Sequence, residues 1–322
     1  MTDPVPVGVA LGSQVHPGRL VELGRRCEEL GFSEIWLTED YFYTSAVAGA
    51  AGILGVTEHV PVGFGILSGL VRHPAVLAME IATLAHMHPG RVLPGIGLGL
   101  PMWLEQMRLR PRSQLGALRE VFGVLRGLLA GEHVTSDGLF GLVDVQLEYP
   151  APEVPLLCGV IGPKMLAMAG EVADGVVGSV MAGETYLRVA AERIAAGGPT
   201  PLGFRALVLF ACDRDGARAR ASARESFAFF LTTIAPSHLV EVHEDRDAIR
   251  ALAAQGADAM AAGMDPSWME DLAVVGTPDE CAAKIAGQLQ AGATTVSLFP
   301  ASPPDADEQF ALAGREVLPQ LA

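Results

Sequence analysis

Three short stretches carry the residue types and spacings that could do chemistry. The first is Glu39-Asp40-Tyr41, closing the apolar run Glu34 to Thr38 and followed by Phe42 and Tyr43. A carboxylate among aromatic rings has its charged form disfavoured, so its pKa rises and it can act as acid or base. The plainer reading is that one of the two carboxylates caps the next helix. The second stretch is Gly159-Val160-Ile161-Gly162-Pro163-Lys164. A glycine-containing loop enters a helix there, the first helical N–H groups are free, and Pro163 suits the first turn. A lysine in a first turn runs against the helix dipole, so Lys164 is better placed beside a bound anion; otherwise Gly-Pro is only a turn and Lys164 is solvated. The third stretch, Val60 to Pro101, reads as strand, loop, helix, turn and strand, with glycines near both strand ends, Gly63 and Gly65 in the first and Gly97 and Gly99 in the second. Glycine at the carboxyl end of a parallel strand lets backbone approach a flat ligand.

Other features invite less. His73 stands before Pro74 at a helix start and is expected to bond backbone rather than act as a base. His86 and His88 sit at a helix end, where partial positive charge is favourable. No GxSxG offers a nucleophile. Cys27, Cys158, Cys212 and Cys281 lie far apart with no zinc-ligand spacing, so each is expected to be a small buried hydrophobe, and no metal is expected.

The elements that must position these residues alternate. Strands are expected at Val5 to Leu11, Glu34 to Thr38, Val60 to Ile66, Arg91 to Gly99, Val154 to Gly159, Asp174 to Ser179, Gly203 to Ala211 and Thr294 to Phe299. Helical patterns fill the gaps, among them Pro74 to His86 and Leu115 to Ala130, the latter with Leu118, Phe122, Leu125 and Leu129 on one face. The strand runs are nearly continuous in apolar residues, as in parallel strands covered on both faces. The expectation is a single α/β domain over residues 1–322, a (β/α)8 TIM barrel, with a β-hairpin insertion at about 131–150 and a helical insertion at about 234–273, before the last strand. A capping box is expected at Thr277 to Glu280 and a final helix over Glu308 to Leu318. A doubly wound open sheet is the alternative, weakened because Gly8, Gly12 and Gly18 make no GxGxxG.

The chain has 322 residues, half of them hydrophobic, and a formal net charge of −15. That charge speaks against nucleic acid as a partner. No run of 18 uncharged apolar residues occurs, and the opening MTDPVPVGVALG lacks the basic and apolar parts of a signal peptide. A cytoplasmic protein away from membranes, homodimeric and acting on small molecules, is expected.

Four segments lie in order: Gly31 to Asp40 (GFSEIWLTED), Gly63 to Pro74 (GFGILSGLVRHP), Gly90 to Gly99 (GRVLPGIGLG) and Gly162 to Gly175 (GPKMLAMAGEVADG). Together they resemble the bacterial-luciferase-like superfamily of flavin and deazaflavin barrels. The closer likeness is to oxidoreductases using coenzyme F420, including the methylenetetrahydromethanopterin reductase type. The resemblance implies that the bulge Gly65-Ile66, a non-prolyl cis peptide in relatives, backs the cofactor ring, with Leu67 and Ser68 at its edge and Asp40 near its reactive face. It further implies that Gly159 through Lys164, with the Ser179 loop, hold the phosphate. Gly97 and Gly99 belong to the same expected cofactor site. Relatives often carry His where Tyr41 stands, and sugar-phosphate-oxidising relatives carry Glu where Leu100 stands; both departures argue against a sugar-phosphate dehydrogenase.

The implied activity is F420-dependent hydride exchange with an imine, enone or alcohol, with the proton supplied by Tyr41, Asp40 or Glu39. The alternatives are a monooxygenase fed reduced FMN by a partner reductase and an inactive flavin-binding protein.

Overall fold

The computed structural model describes residues 5–200 and 202–322. Residues 1–4, the head of the opening segment discussed above, lie outside the described residues. The strands in chain order are β1 (Val7–Leu11), β2 (Ile35–Leu37), β3 (Val62–Ser68), β4 (Val92–Gly97), β5 (Val134–Ser136), β6 (Leu142–Val145), β7 (Leu157–Gly159), β8 (Gly175–Val177), β9 (Gly203–Cys212), β10 (Val274–Gly276) and β11 (Ala293–Pro300). β1, β2, β3, β4, β7, β8, β9 and β11 form a closed parallel ring: β8 pairs with β9, β9 with β11, and β11 with β1. This is a TIM barrel, and the open-sheet alternative falls because no edge of the ring is left unpaired.

β10 was not foreseen. It pairs in parallel with the far end of β9, Val274 opposite Phe210 and Gly276 opposite Cys212. β9 is ten residues long, so it reaches past three-residue β8 and offers unused ladder groups there. A three-residue strand directly after a helix gives no periodic signal of its own.

Continuous apolar strands follow from burial on both faces. All five residues of β1 are buried. Ala10, Trp36, Leu93, Leu157, Val177 and Leu207 fill the barrel interior. Gly63 leaves the space for Trp36, since a Cβ there would sit 2.5 Å from the indole ring. Toward the amino end of β2, Trp36 Nε1 donates to Glu34 Oε1 at 2.8 Å, and Arg205 Nε stands 3.4 Å from Glu34 Oε2. Outside the ring, the helices press apolar stripes on the sheet. The helix Gln114–Leu129 buries Leu118, Val121, Phe122, Leu125 and Leu128; Phe122→Ala there would cost about 3–5 kcal/mol.

The eight helices of nine residues or more are Pro17–Glu29, Ala46–Leu54, Pro74–Met87, Gln114–Leu129, Pro163–Val172, Glu184–Ala195, Gly216–Ile234 and Pro278–Gln290. Six start on a side chain that accepts a backbone N–H: His16, Ser45, His73, Ser113, Asp215 and Thr277. Thr277 and Glu280 form the reciprocal capping box. The other two start on Gly162 and Gly183, with no side-chain cap.

β5 and β6 pair as an antiparallel hairpin. Its turn is held by Glu120, which accepts from Leu139 N–H at 2.9 Å and Phe140 N–H at 3.3 Å. Helices His238–Glu241, Arg246–Ala253, Ala257–Gly263 and Pro266–Leu272 lie between β9's helix and β10. The C-terminal helix is Ala306–Leu312, and it changes to a π turn (Ala313–Val317) and a 3-10 turn (Leu318–Gln320) instead of running on to Leu318. All four cysteines are buried. Among the described residues, no helix is long and apolar enough to cross a membrane, and no cluster of three or more metal-ligating side chains occurs.

Candidate functional site

Parallel strands deliver their last residues to one face of the ring, and that face divides into a rim, a floor and a pair of uncapped helix starts. The rim follows β2. Asp40, half-buried, accepts a hydrogen bond from Ser13 Oγ at 2.5 Å, and Ser13 N–H in turn donates to Thr38 Oγ1 at 2.8 Å. Burial pushes the Asp40 carboxyl above its ordinary value; hydrogen bonds from Ser13 and Thr38 pull it down, and the neighbouring Glu39 charge pushes it up again. Asp40 is therefore more ready to hold a proton than a solvated aspartate.

Glu39 is differently placed. Arg72 grips both its oxygens, NH1 to Oε2 at 2.5 Å and NH2 to Oε1 at 2.8 Å. Oε1 also accepts Ala46 N–H at 3.1 Å, at the start of the helix after β2. Of the two carboxylates, Glu39 is thus the one that satisfies that helix start, although its caps also include Ser45. The Arg72 Nε end is paired with Glu80 at 3.1 Å. Tyr41 OH lies 3.5 Å from Glu39 Oε2, and its ring meets Trp103 edge-on with centroids 6.2 Å apart. Burial first and the Glu39 charge second push the Tyr41 phenol up to about 12. Tyr41 therefore stays protonated and acts as a hydrogen-bond donor across the physiological range.

The floor is built from β3, β4 and β7. The Gly65–Ile66 peptide is cis, and so is Tyr41–Phe42. The β3–β4 register shifts between Phe64 and Leu67, which marks the bulge. Gly97 and Gly159 pair across β4 and β7. A Cβ on Gly97 would lie 3.1 Å from Ile66 Cδ1, and one on Gly159 only 2.2 Å from Ile66 Cγ2. These two glycines thus make room for the Ile66 side chain, which lies across both strand ends; their space is not left open for a ligand. Gly99 adopts φ +89°, and a Cβ there would face Ser68 and Tyr41. Leu67 is fully buried between sheet and helices, because alternation along β3 turns it away from the barrel axis. The expectation that Leu67 lines a ring edge therefore does not hold for its side chain. Ser68 is buried too, its hydroxyl donating to Leu98 C=O at 2.6 Å and accepting Leu70 N–H at 3.2 Å.

The two uncapped helix starts follow β7 and β8. Gly162 and Gly183 leave the first N–H groups of two neighbouring helices without side-chain caps. Ile161 C=O is held by Tyr186 OH at 2.8 Å, and Val160 is buried against the core. Pro163 is the first helical residue and Lys164 is exposed. Ser179 lies half-buried just past β8, two residues before Met181, which adopts φ +70°.

At the strand ends Tyr41 lies beside Gly99, Ser68 and Glu39, with Asp40 next to it in the chain, while Gly159 lies under Ile66 and leads into the loop to Lys164. Ser13 and Arg72 went unsuggested by the sequence as site residues, though both contact the rim carboxylates. Ser13 lies 27 positions from Asp40, and Arg72 lies 33 from Glu39, so only the pairing of β1 with β2 and of β2 with β3 joins them. His73 caps its helix through Nδ1 and meets Phe140 C=O through Nε2 at 3.1 Å, a structural use. The surface depressions lined by Arg19, Glu22 and Arg26, and by Gly123, Arg126 and Pro152, lie on outer helices away from the strand ends.

A family model described as luciferase-like monooxygenase matches residues 1–295. The chain belongs to the luciferase-like family. It is 28% identical over 313 residues to a 5,10-methylenetetrahydromethanopterin reductase of Methanolobus tindarius, covering 93% of this chain and 95% of that one. It is 34% identical over 194 residues to an F420-dependent glucose-6-phosphate dehydrogenase of Microbacterium testaceum, covering 55% and 57%. In three dimensions it matches the coenzyme F420-dependent tetrahydromethanopterin reductase of Methanopyrus kandleri with a TM-score of 0.83, at 23% identity and 99% coverage of both chains. That last likeness is one of fold.

Proposed function

We propose that this luciferase-like barrel is a coenzyme F420-dependent oxidoreductase that exchanges a hydride with a small imine, enone or alcohol. The observation that carries the reading is the arrangement of the strand ends. An apolar floor, Ile66 laid over Gly97 and Gly159, lies among strand ends that also carry the Asp40–Tyr41 rim and two uncapped helix starts. The order of those groups along neighbouring strands fits a planar ring continued by a phosphate. The named relatives, an F420-linked dehydrogenase among them, support the same cofactor.

When bound, the coenzyme supplies the ring carbon that gives or takes hydride. The protein's residues do the rest. Ile66 and the Gly65 backbone support the ring's underside. The N–H groups following Gly162, the Lys164 ammonium and the Ser179 loop hold the phosphate. Asp40, its carboxyl raised by burial and steadied by Ser13, holds the proton that must accompany hydride when a carbonyl or imine is reduced. Tyr41 donates a hydrogen bond to the same atom of the substrate. Glu39, engaged by Arg72 and the helix start, positions Tyr41 and is not the proton donor.

The test is anaerobic turnover with oxidised F420 and a panel of alcohols and amines. Loss of the deazaflavin absorption band with substrate oxidation is expected. Oxygen uptake with reduced FMN, and no change in deazaflavin absorbance, would instead favour the monooxygenase reading.

The same reading takes the protein to be cytoplasmic and a homodimer. Exposed Val76, Met79 and Met87 form a stripe along the outer face of the helix Pro74–Met87 and supply an apolar surface for a second copy. Sedimentation should give a dimer that Met79→Glu weakens; a monomeric wild type would remove this part of the reading.

A further inference from the structure

Phe299 stands at the carboxyl end of the barrel interior. Ser297, two positions earlier on β11, points inward: a Cβ on Gly8 would lie 2.5 Å from its Oγ, and that Oγ is 3.4 Å from Glu34 Oε1. Side chains two apart share one face of a strand, so Phe299 also points inward, one layer nearer the strand ends. It packs, with Ile66 and Val180, on the interior cluster of Trp36, Leu157 and Leu207. Trp36 is sealed below that layer, whereas Phe299 is only half-buried.

Distances tie this ring to the proton-holding rim. Its tip lies across Gly12, where a Cβ would stand 2.9 Å from Phe299 Cζ. The next residue, Ser13, donates to Asp40 at 2.5 Å. Phe299 and the Asp40 carboxyl therefore border the same two residues at the end of β1.

The helix Gly216–Ile234 brings a second ring to the first. Ser226 Oγ donates to Ala301 C=O at 2.5 Å, which holds the helix against the end of β11. Four positions on, and so on the same helix face, half-buried Phe230 meets Phe299 edge-on, with centroids 5.7 Å apart and planes at 86°. Two rings at near right angles make a corner that a third ring can meet by face and edge together. Phe229 continues the row, 5.6 Å from Phe230, and is 55% exposed. Buried Phe227 and Leu231 already anchor the helix, so the row from Phe299 outward is apolar surface that a ligand can cover.

We propose that Phe299 and Phe230 are the specificity wall of the site, and that the substrate is a carbonyl compound or alcohol whose body is a flat apolar ring without an anionic group. The proposal rests on the hydride-transfer reading above and narrows its substrate. The ring lies in the phenylalanine corner and the reacting oxygen meets Asp40. In the reductive direction the carbonyl carbon takes hydride from the reduced coenzyme and the oxygen takes the proton from Asp40. New C–H and O–H bonds replace the C=O π bond, and the coenzyme is left oxidised. A phosphate or carboxylate on the substrate would meet the Asp40 carboxyl in a chain of net charge −15.

The test is anaerobic kinetics with reduced F420 and three ketones: acetophenone, acetone and 4-acetylbenzoate. Wild type should prefer acetophenone to acetone, in kcat/KM, by about tenfold or more. 4-Acetylbenzoate should fall below acetophenone by about tenfold. Phe230→Ala and Phe299→Leu should each raise KM for acetophenone about 5–10-fold and so narrow its lead over acetone. Titration of each variant with F420 should match wild type, which reports an intact fold and cofactor site. Saturation-transfer NMR of acetophenone on the purified protein gives a readout independent of turnover, and Phe230→Ala should weaken that signal.

Equal kcat/KM for acetophenone and acetone, with coenzyme consumed, would overturn the wall and leave the cofactor reading in place. An undiminished acetophenone preference in both variants would do the same. Equal use of 4-acetylbenzoate and acetophenone would overturn the exclusion of anions. If no ketone consumes coenzyme, the hydride reading is lost, and NMR decides the wall alone: transfer to acetophenone that Phe230→Ala weakens supports it, and no transfer overturns it.

Discussion

The two ends of β2 each place a glutamate against an arginine, and the pairs differ in a way that separates architecture from function. Glu34, just before the strand, lies inside the barrel under Trp36. Its arginine, Arg205, approaches at 3.4 Å without forming a hydrogen bond through Nε. Burial there outweighs Arg205, Trp36 and Ser297, and the Glu34 carboxyl is pushed above its ordinary value. Glu39, just past the strand, is gripped by both nitrogens of Arg72 and also accepts a helix N–H. The inner pair neutralises a charge the barrel has swallowed. The outer pair holds a rim that carries Tyr41 and Asp40. A bidentate geometry fixes direction as well as charge, and direction is what a site needs.

Ordered by expected effect on stability, four single substitutions and one double variant break or sharpen this contrast. Arg205→Met should be the most damaging, about 3–5 kcal/mol, because it leaves Glu34 buried and unpaired. A carboxyl whose folded pKa lies above its unfolded one is favoured by protonation. The loss should therefore be largest at neutral pH and shrink as pH falls through the raised Glu34 value; denaturant titrations at two pH values would show it. Replacing both partners, Glu34→Leu with Arg205→Met, should recover most of the loss.

Arg72→Met should cost less, about 1–3 kcal/mol, since Glu39, though buried, keeps the Ala46 N–H and the Tyr41 hydroxyl. Its kcat should fall with little change in cofactor affinity, because Glu39, which positions Tyr41, loses its holder. Equal effects of the Arg205 and Arg72 substitutions on stability and on turnover would erase the distinction between the pairs.

Asp40→Asn should leave the melting temperature unchanged or higher at neutral pH, since a carboxyl with a raised pKa is a charge the fold would rather not hold; that gain should vanish in acid. Turnover should drop by about a hundredfold or more, the range for losing a general acid. Lys164→Ala should not move stability measurably, as an exposed cation without a partner contributes little, but it should weaken cofactor binding.

Much of the fold was legible because its signals are local. Continuous apolar runs marked the ring strands, and Thr277 to Glu280 announced a helix start that the structure shows in full. β10 was invisible because three residues on the end of β9 have no pattern of their own. In the site, the sequence pointed to Asp40 through the run it ends, but could not show which carboxylate is free. That depends on Arg72 and Ser13, which arrive from other strand ends. Gly97 and Gly159 read as openings for a ligand; the structure fills both with Ile66, a use that only the packing of three strands reveals.

The central claim is that the floor of Ile66, Gly97 and Gly159 takes a deazaflavin ring. Equilibrium titration of the purified protein with F420 and with FMN, side by side, tests it most directly. The account predicts saturable binding of F420, one per chain, and weaker binding of FMN. Tighter binding of FMN, or binding of neither, would contradict it.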